Sequence, residues 1–108
     1  MKHFLLFYEA TADYATKRAP YRKKHLEHAI AAHRHGDLLL GGAFANPVDG
    51  AVIVFQGESS KAAEDFAKAD PYVINGAVTS WHVREWTTVV GDNPSVNVDP
   101  NMLYETSD

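Results

Sequence analysis

The side chains in this sequence best suited to chemistry are a helical run of arginine and histidine and one awkwardly placed aspartate. Arg22, His25 and Ala29 recur at helical spacing within PYRKKHLEHAIAAHRH, residues 20–35. With Leu26 at the centre of the buried face, Arg22, Ile30 and His33 fall within about 40° of it, Ala29 about 60° away and His25 about 100° away. His28 and Glu27 then face solvent. Arg22, His25 and Ala29 form a flank beside the apolar stripe, where a cleft would find a base and a cation for an anion. The same pattern also fits a plain helix border along which long side chains snorkel to water. Arg18 extends the flank if the helix begins early. Pro20 argues against that, because proline suits a helix's first turn.

Asp70 sits directly before Pro71, at the end of a second helical segment. One reading makes it a turn former and helix breaker, since proline pushes the residue before it out of the helical region. However, an acid near a helix C-terminus opposes the dipole and calls for a compensating arginine or histidine. If His25 is that partner, Asp70 would fix its tautomer and stabilise the imidazolium, the usual arrangement for a general base or proton shuttle. Both readings stay open, because spacing alone does not bring the two residues together.

No metal site is expected. His25 and His28 diverge on the wheel, His33 and His35 are two residues apart, and there is no HExxH. Glycine-rich phosphate loops, serine nucleophile elbows and dinucleotide fingerprints are missing too, so no cofactor is expected. Trp81 and Trp86 fall on opposite faces of the last strand, one reading as core and the other as interface.

The elements that must position these groups follow from pattern. Residues 2–9 are apolar on both alternating faces, with Phe4, Leu6 and Tyr8 one way and Leu5 and Phe7 the other, as in a strand buried on both sides. Residues 10–19 read as loop, and 20–35 as a helix stopped by Gly36. Residues 37–45 read as a strand with a bulge or close approach at Gly41 and Gly42. Residues 46–50 form a turn and 51–56 a β-branched strand. A helix over 60–69 presents Ala63, Phe66 and Ala67, and a short connector leads to a long strand over 78–90.

At 108 residues the chain is one domain, expected at 1–90, with a tail at 91–108 whose scattered apolar residues suit packing on a partner subunit. With no cysteine there are no disulfides, thiolate nucleophiles or thiolate metal sites, which favours a cytoplasmic home. The net charge of −4 argues against nucleic acid as partner. The apolar start is too short for a signal peptide or a membrane span. The order β-α-β-β-α-β is that of an α+β, ferredoxin-like fold: an antiparallel sheet with two helices on one face. The bare face would be apolar, and a symmetric homodimer would cover it.

The runs KRAPYRKKHLEHAIAAHRHGDLLLGGAFANPVDGAVIVF and AEDFAKADPYVINGAVTSWHVREW resemble the YciI-like (YCII-related) family over about residues 1–88. The most specific parts are Arg22 to Leu26, Asp49 to Ala51, and Ala69 to Tyr72 followed by Gly76. The resemblance implies a ferredoxin-like fold that dimerises as an α/β barrel. It also implies a His–Asp pair, proposed to be catalytic, which falls on His25 and Asp70. One relative removes chloride from a chlorinated hydroxyhydroquinone. Departures from the family pattern are Gly41-Gly42-Ala43-Phe44 and the long tail.

Together these readings point to a cofactor-independent lyase, isomerase or dehydrochlorinase acting on a small anionic, aromatic or lactone-like metabolite by proton transfer. His25 would be the general base or acid, Asp70 its orienting partner, Arg22 and Arg18 the anion clamp, and Tyr72 a hydrogen-bond donor. The alternative is a non-catalytic dimer that binds a small ligand, or serves an accessory role, through the same pocket. Fold alone does not decide between them.

Overall fold

A computed structural model describes residues 1–99, so the expected tail from residue 100 onward, with its apolar Met102, Leu103 and Tyr104, lies outside the described residues. The strands are β1 (Lys2–Glu9), β2 (Leu38–Ala43), β3 (Gly50–Gly57) and β4 (Ser80–Trp86). They form one antiparallel sheet in the order β2-β3-β1-β4. The helices are α1 (Tyr14–Arg18), α2 (Arg22–His35), α3 (Lys61–Ala69) and α4 (Pro71–Ile74), with one 3₁₀ turn over Ala19–Tyr21. The architecture is the expected α+β one, with the helices on one face of the sheet.

β1 occupies a central position, as its double-sided apolar pattern requires. Phe4, Leu6 and Tyr8 are buried beneath the helices, opposite Phe55, Ile53 and Ala51 of β3. Leu5 and Phe7 turn to the other face beside Val54 and Val52. α3 contributes the expected face of Ala63, Phe66 and Ala67, all buried.

Several boundaries and one helix face differ from the sequence reading. Residues 10–19 are not simply a loop. Buried Tyr14 anchors α1, Lys17 pairs with Asp13 at 3.7 Å, and the Arg18 guanidinium lies 4.9 Å above the Tyr14 ring. Pro20 occupies the first turn of the 3₁₀ segment joining α1 to α2, so it links two helices rather than opening one. The irregular step in β2 lies between Leu38 and Leu40, ahead of the glycines. β4 is shorter than 78–90 because β1 offers partners only back to His3, which pairs with Trp86. Beyond it, Thr88 turns to bond His3 and Ser95, which draws the start of the tail against the first strand.

The orientation of α2 also departs from the wheel. Leu26 and Ile30 are 40% and 48% exposed, while His25, His28, Ala29 and Ala32 make the half-buried stripe, about 100° round from Leu26. His28 does not face solvent. Its ring stacks on Phe66 with centroids 4.2 Å apart, and Nε2–H donates to the Phe66 carbonyl at 2.9 Å. Imidazole rings, as flat as aromatic residues and able to donate, displaced the aliphatic residues from this contact. Gly36 ends α2 in the left-handed conformation (φ 98°) that favours glycine.

Gly50 opens β3 where a side chain has no room, since a Cβ there would stand 2.4 Å from the Tyr8 carbonyl oxygen. Gly50→Ala is expected to push β3 from β1 and cost about 1–3 kcal/mol in urea unfolding, a typical overpacking penalty. Gly57→Ala, whose new Cβ meets nothing closer than 3.5 Å, serves as the control and is expected to shift stability far less.

Candidate functional site

The site is built around Asp70. α3 ends at Ala69, and Pro71 holds Asp70 extended (φ −74°, ψ 125°). The aspartate therefore closes one helix and opens the next: its Oδ1 accepts the Tyr72 backbone N–H at 3.0 Å as the N-cap of α4. Asp70 is completely buried. Its Oδ2 accepts the Tyr8 hydroxyl at 2.6 Å. The Nδ1 of His25 lies 2.8 Å from Oδ1 and 2.9 Å from Oδ2. Three donors from β1, α2 and α4 thus converge on one carboxyl group, which is what a buried acid requires.

His25 is clamped as well as bonded. Its ring stacks on Tyr72 at 3.8 Å and 6°, and Phe66 meets it edge-on at 6.5 Å. With Nδ1–H committed to Asp70, Nε2 is the nitrogen left to exchange a proton. The imidazole lines a cleft of about 480 Å³ between α2 and β2, whose wall also includes Arg18, Arg22, Tyr14 and Tyr72. The Tyr72 hydroxyl is buried and has no hydrogen-bond partner of ordinary geometry among the described residues.

The tyrosines sense this environment. Burial pushes the Tyr8 phenol far above its ordinary range, and the adjacent Asp70 carboxylate adds to the rise. Burial also raises Tyr14 and Tyr72. Arg18 opposes the rise at Tyr14, and Arg18 and Arg22 oppose it at Tyr72.

The structure brings His25 and Asp70 into contact and sets Arg18, Arg22 and Tyr72 on the wall of the same cleft. Arg18 arrives there because α1 and the 3₁₀ turn continue the helical path before α2. Two residues of the site were missed by sequence reasoning. The alternation of residues 2–9 marks Tyr8 only as an inward strand residue, although a tyrosine on an inward face brings a hydroxyl that needs a partner. Tyr14 lies in a stretch whose polar composition suggests loop, although Tyr14 and Arg18 are one helical turn apart. Among the described residues no group of three His, Asp or Glu side chains converges as a metal site, and no helix is long and apolar enough to cross a membrane.

The family model of the YCII-related domain matches residues 1–87. Among solved structures, the chain is similar to 5-chloro-2-hydroxyhydroquinone dehydrochlorinase from Burkholderia phenoliruptrix AC1100, in complex with 2,5-dihydroxybenzoquinone. That match has a TM-score of 0.67 and 17% identity, covering 80% of this chain and 94% of that one. The chain is also similar to protein Atu4242 from Agrobacterium tumefaciens, with a TM-score of 0.50 and 13% identity over 90% of this chain and all of that one (100%). At these identities the likeness is one of fold. No curated protein matches the sequence.

Two stability predictions follow from the Tyr8–Asp70 bond. Tyr8→Phe removes one donor from a buried carboxyl and is expected to cost about 1–3 kcal/mol in chemical denaturation. The folded chain keeps the Tyr8 proton at a pH where the unfolded chain has lost it. The unfolded state then binds one proton fewer, and stability falls as pH rises. The loss is expected to begin near pH 10, at about 1.4 kcal/mol per pH unit for this group. Tyr8→Phe should flatten the alkaline limb of a plot of unfolding free energy against pH.

Proposed function

The chain belongs to the family of YCII-related domains, and on that premise we propose that it is a cofactor-independent enzyme of lyase, isomerase or dehydrochlorinase type, working by proton transfer on a small aromatic or lactone-like anion. The observation that carries this reading is the His25 Nδ1 contact with buried Asp70, 2.8 Å long, in a cleft lined by two arginines. Fold likeness to a dehydrochlorinase supports the same reaction class.

The chemistry needs only the chain's own groups. His25 Nε2 takes a proton from an acidic O–H or C–H of the bound molecule. The electron pair left behind expels a leaving anion such as chloride, or shifts along the conjugated system. The imidazolium then returns its proton to a second atom or to water. Asp70 acts through His25 as a positioning residue: it holds Nδ1 protonated and offsets the imidazolium charge. Arg22 and Arg18 hold the anion, and the buried Tyr72 hydroxyl donates to one of its oxygens. Removing water from such a cleft strengthens each of these interactions.

A second copy of the chain belongs to the same reading. Leu5, Phe7, Val52 and Val54 share the sheet face away from the helices, with Leu40 72% and Trp86 48% exposed. An isologous pair would cover this face. Light scattering is expected to give twice the chain mass at micromolar concentration, and a monomer would remove this part of the reading.

The catalytic proposal is tested with chlorinated hydroxyhydroquinones and small lactones, following chloride release and deuterium uptake from D₂O by NMR. His25→Ala is expected to lower the rate on the order of 10²–10⁴-fold, with the circular dichroism spectrum retained. In Asp70→Asn the amide N–H can face His25 Nδ1 and move the ring proton to Nε2, so the rate should fall without a matching loss of fold. An unchanged rate in His25→Ala would overturn the assignment.

A further inference from the structure

The cleft is larger than proton transfer at His25 needs. A cavity on the order of 150 Å³ takes up a benzene ring, whereas this one measures about 480 Å³. Arg18, Arg22, His25 and Tyr72 stand at one end, while His33 at the other has its Nδ1 bonded to the Leu38 carbonyl at 2.7 Å. Leu26, Ile30, Gly41, Ala43 and Ile53 line the rest. From Arg22 to Ile30 the helix rises about 12 Å, so the two ends are well separated along α2.

The apolar end, walled on the β2 side by Leu38, Leu39 and Leu40 as well, stays open because the glycine-rich half of β2 sends no long side chain toward α2. After the irregular step between Leu38 and Leu40, the helix-facing positions of β2 are Gly41 and Ala43, paired with Ile53 and Ala51. Neither carries a side chain long enough to reach Leu26 and Ile30. Those two residues stand one turn apart on the cavity wall and remain 40% and 48% exposed. A Cβ at Gly41 would come within 3.3 Å of Ile53 Cγ2, so the glycine keeps this wall low. The result is a gap in the core with apolar walls and a cationic mouth.

We infer that the ligand is an amphipathic anion, with an acidic head at Arg22, His25 and Tyr72 and an apolar body longer than one ring lying over Leu26, Ile30 and Ile53. The inference rests on the proposed function for the position of the head and adds the chemical class of the rest. The buried Tyr72 hydroxyl, beside Arg22 and with no hydrogen-bond acceptor of ordinary geometry among the described residues, stands at the head end.

The test is a titration of the full chain with benzoate and its 4-ethyl, 4-butyl and 4-hexyl derivatives by calorimetry. Affinity is expected to rise up to about fourfold per methylene over the first carbons, the increment for burying CH₂. In Ile30→Asn and in Ala43→Leu that increment is expected to fall below about twofold. 4-Butylbenzyl alcohol, the same body without the charge, should bind at least about tenfold more weakly than 4-butylbenzoate, since the cationic mouth selects the anion. A flat series that still includes tight benzoate binding would overturn the inference and leave the proposed function standing. An increment retained in both variants would also overturn it, because the alkyl chain would then lie elsewhere. Equal binding of the alcohol would overturn the amphipathic assignment. Failure of every benzoate to bind would overturn both the inference and the reading of the head.

Discussion

The arrangement of the helical layer depends on one buried carboxyl group. Removing an acid from water costs several kcal/mol unless its oxygens find donors, and Asp70 is completely buried. Its donors come from Tyr8 on β1, His25 on α2 and the Tyr72 backbone at the start of α4. None of these elements is adjacent to another in sequence apart from Asp70 and α4. Satisfying the carboxyl therefore requires the sheet, the long helix and the α3–α4 corner to arrive at one place together. Losing any one donor leaves a buried acceptor underpaired, so the contact gives direction to the fold as well as stability.

Much of this was legible in the sequence, where local rules act without competition. The doubly apolar β1, the Ala63–Phe66–Ala67 face of α3 and the Gly36 stop of α2 each follow from spacing or from one residue's backbone freedom. Asp70 was recognised as a residue in need of compensation, for a reason that proved half the story. It opposes the dipole at the end of α3, but it also caps α4, so its backbone setting is favourable on one side. A helical wheel misplaces the buried face of α2 because it ranks Leu26 above its neighbours on hydrophobicity alone. His25 and His28 outcompete it by stacking on Tyr72 and Phe66 and by donating to Asp70 and the Phe66 carbonyl. Such contacts depend on which groups another element presents, and no periodicity in α2 itself encodes that.

The cleft has the same origin seen from the other side. Because histidines and alanines take the inward positions of α2, its leucine and isoleucine are displaced to a flank. Because β2 places Gly41 and Ala43 opposite that flank, no long side chain from these two positions closes over it. Two residue choices that would weaken an ordinary core, an inward histidine and a glycine in a strand, here leave a walled space beside the His25 imidazole. Departures from good packing are expected where a site has been kept open, and these two meet at one cavity.

Anchoring and chemistry are consequently hard to separate in this chain. The His25 ring that holds α2 against Tyr72 is also a ring that lines the cleft, and the Asp70 that orients it also caps α4 and receives the Tyr8 hydroxyl. A helix held to its sheet by leucines could dock with its polar residues in several rotations. One held by an imidazole sharing a proton with a buried carboxyl can dock in only one, because turning it by a residue would strand both partners. The geometry a general base requires, a fixed tautomer and a fixed ring plane, is thus the same geometry that fixes α2 on the sheet. The contacts that hold the helical layer are the contacts that build the site.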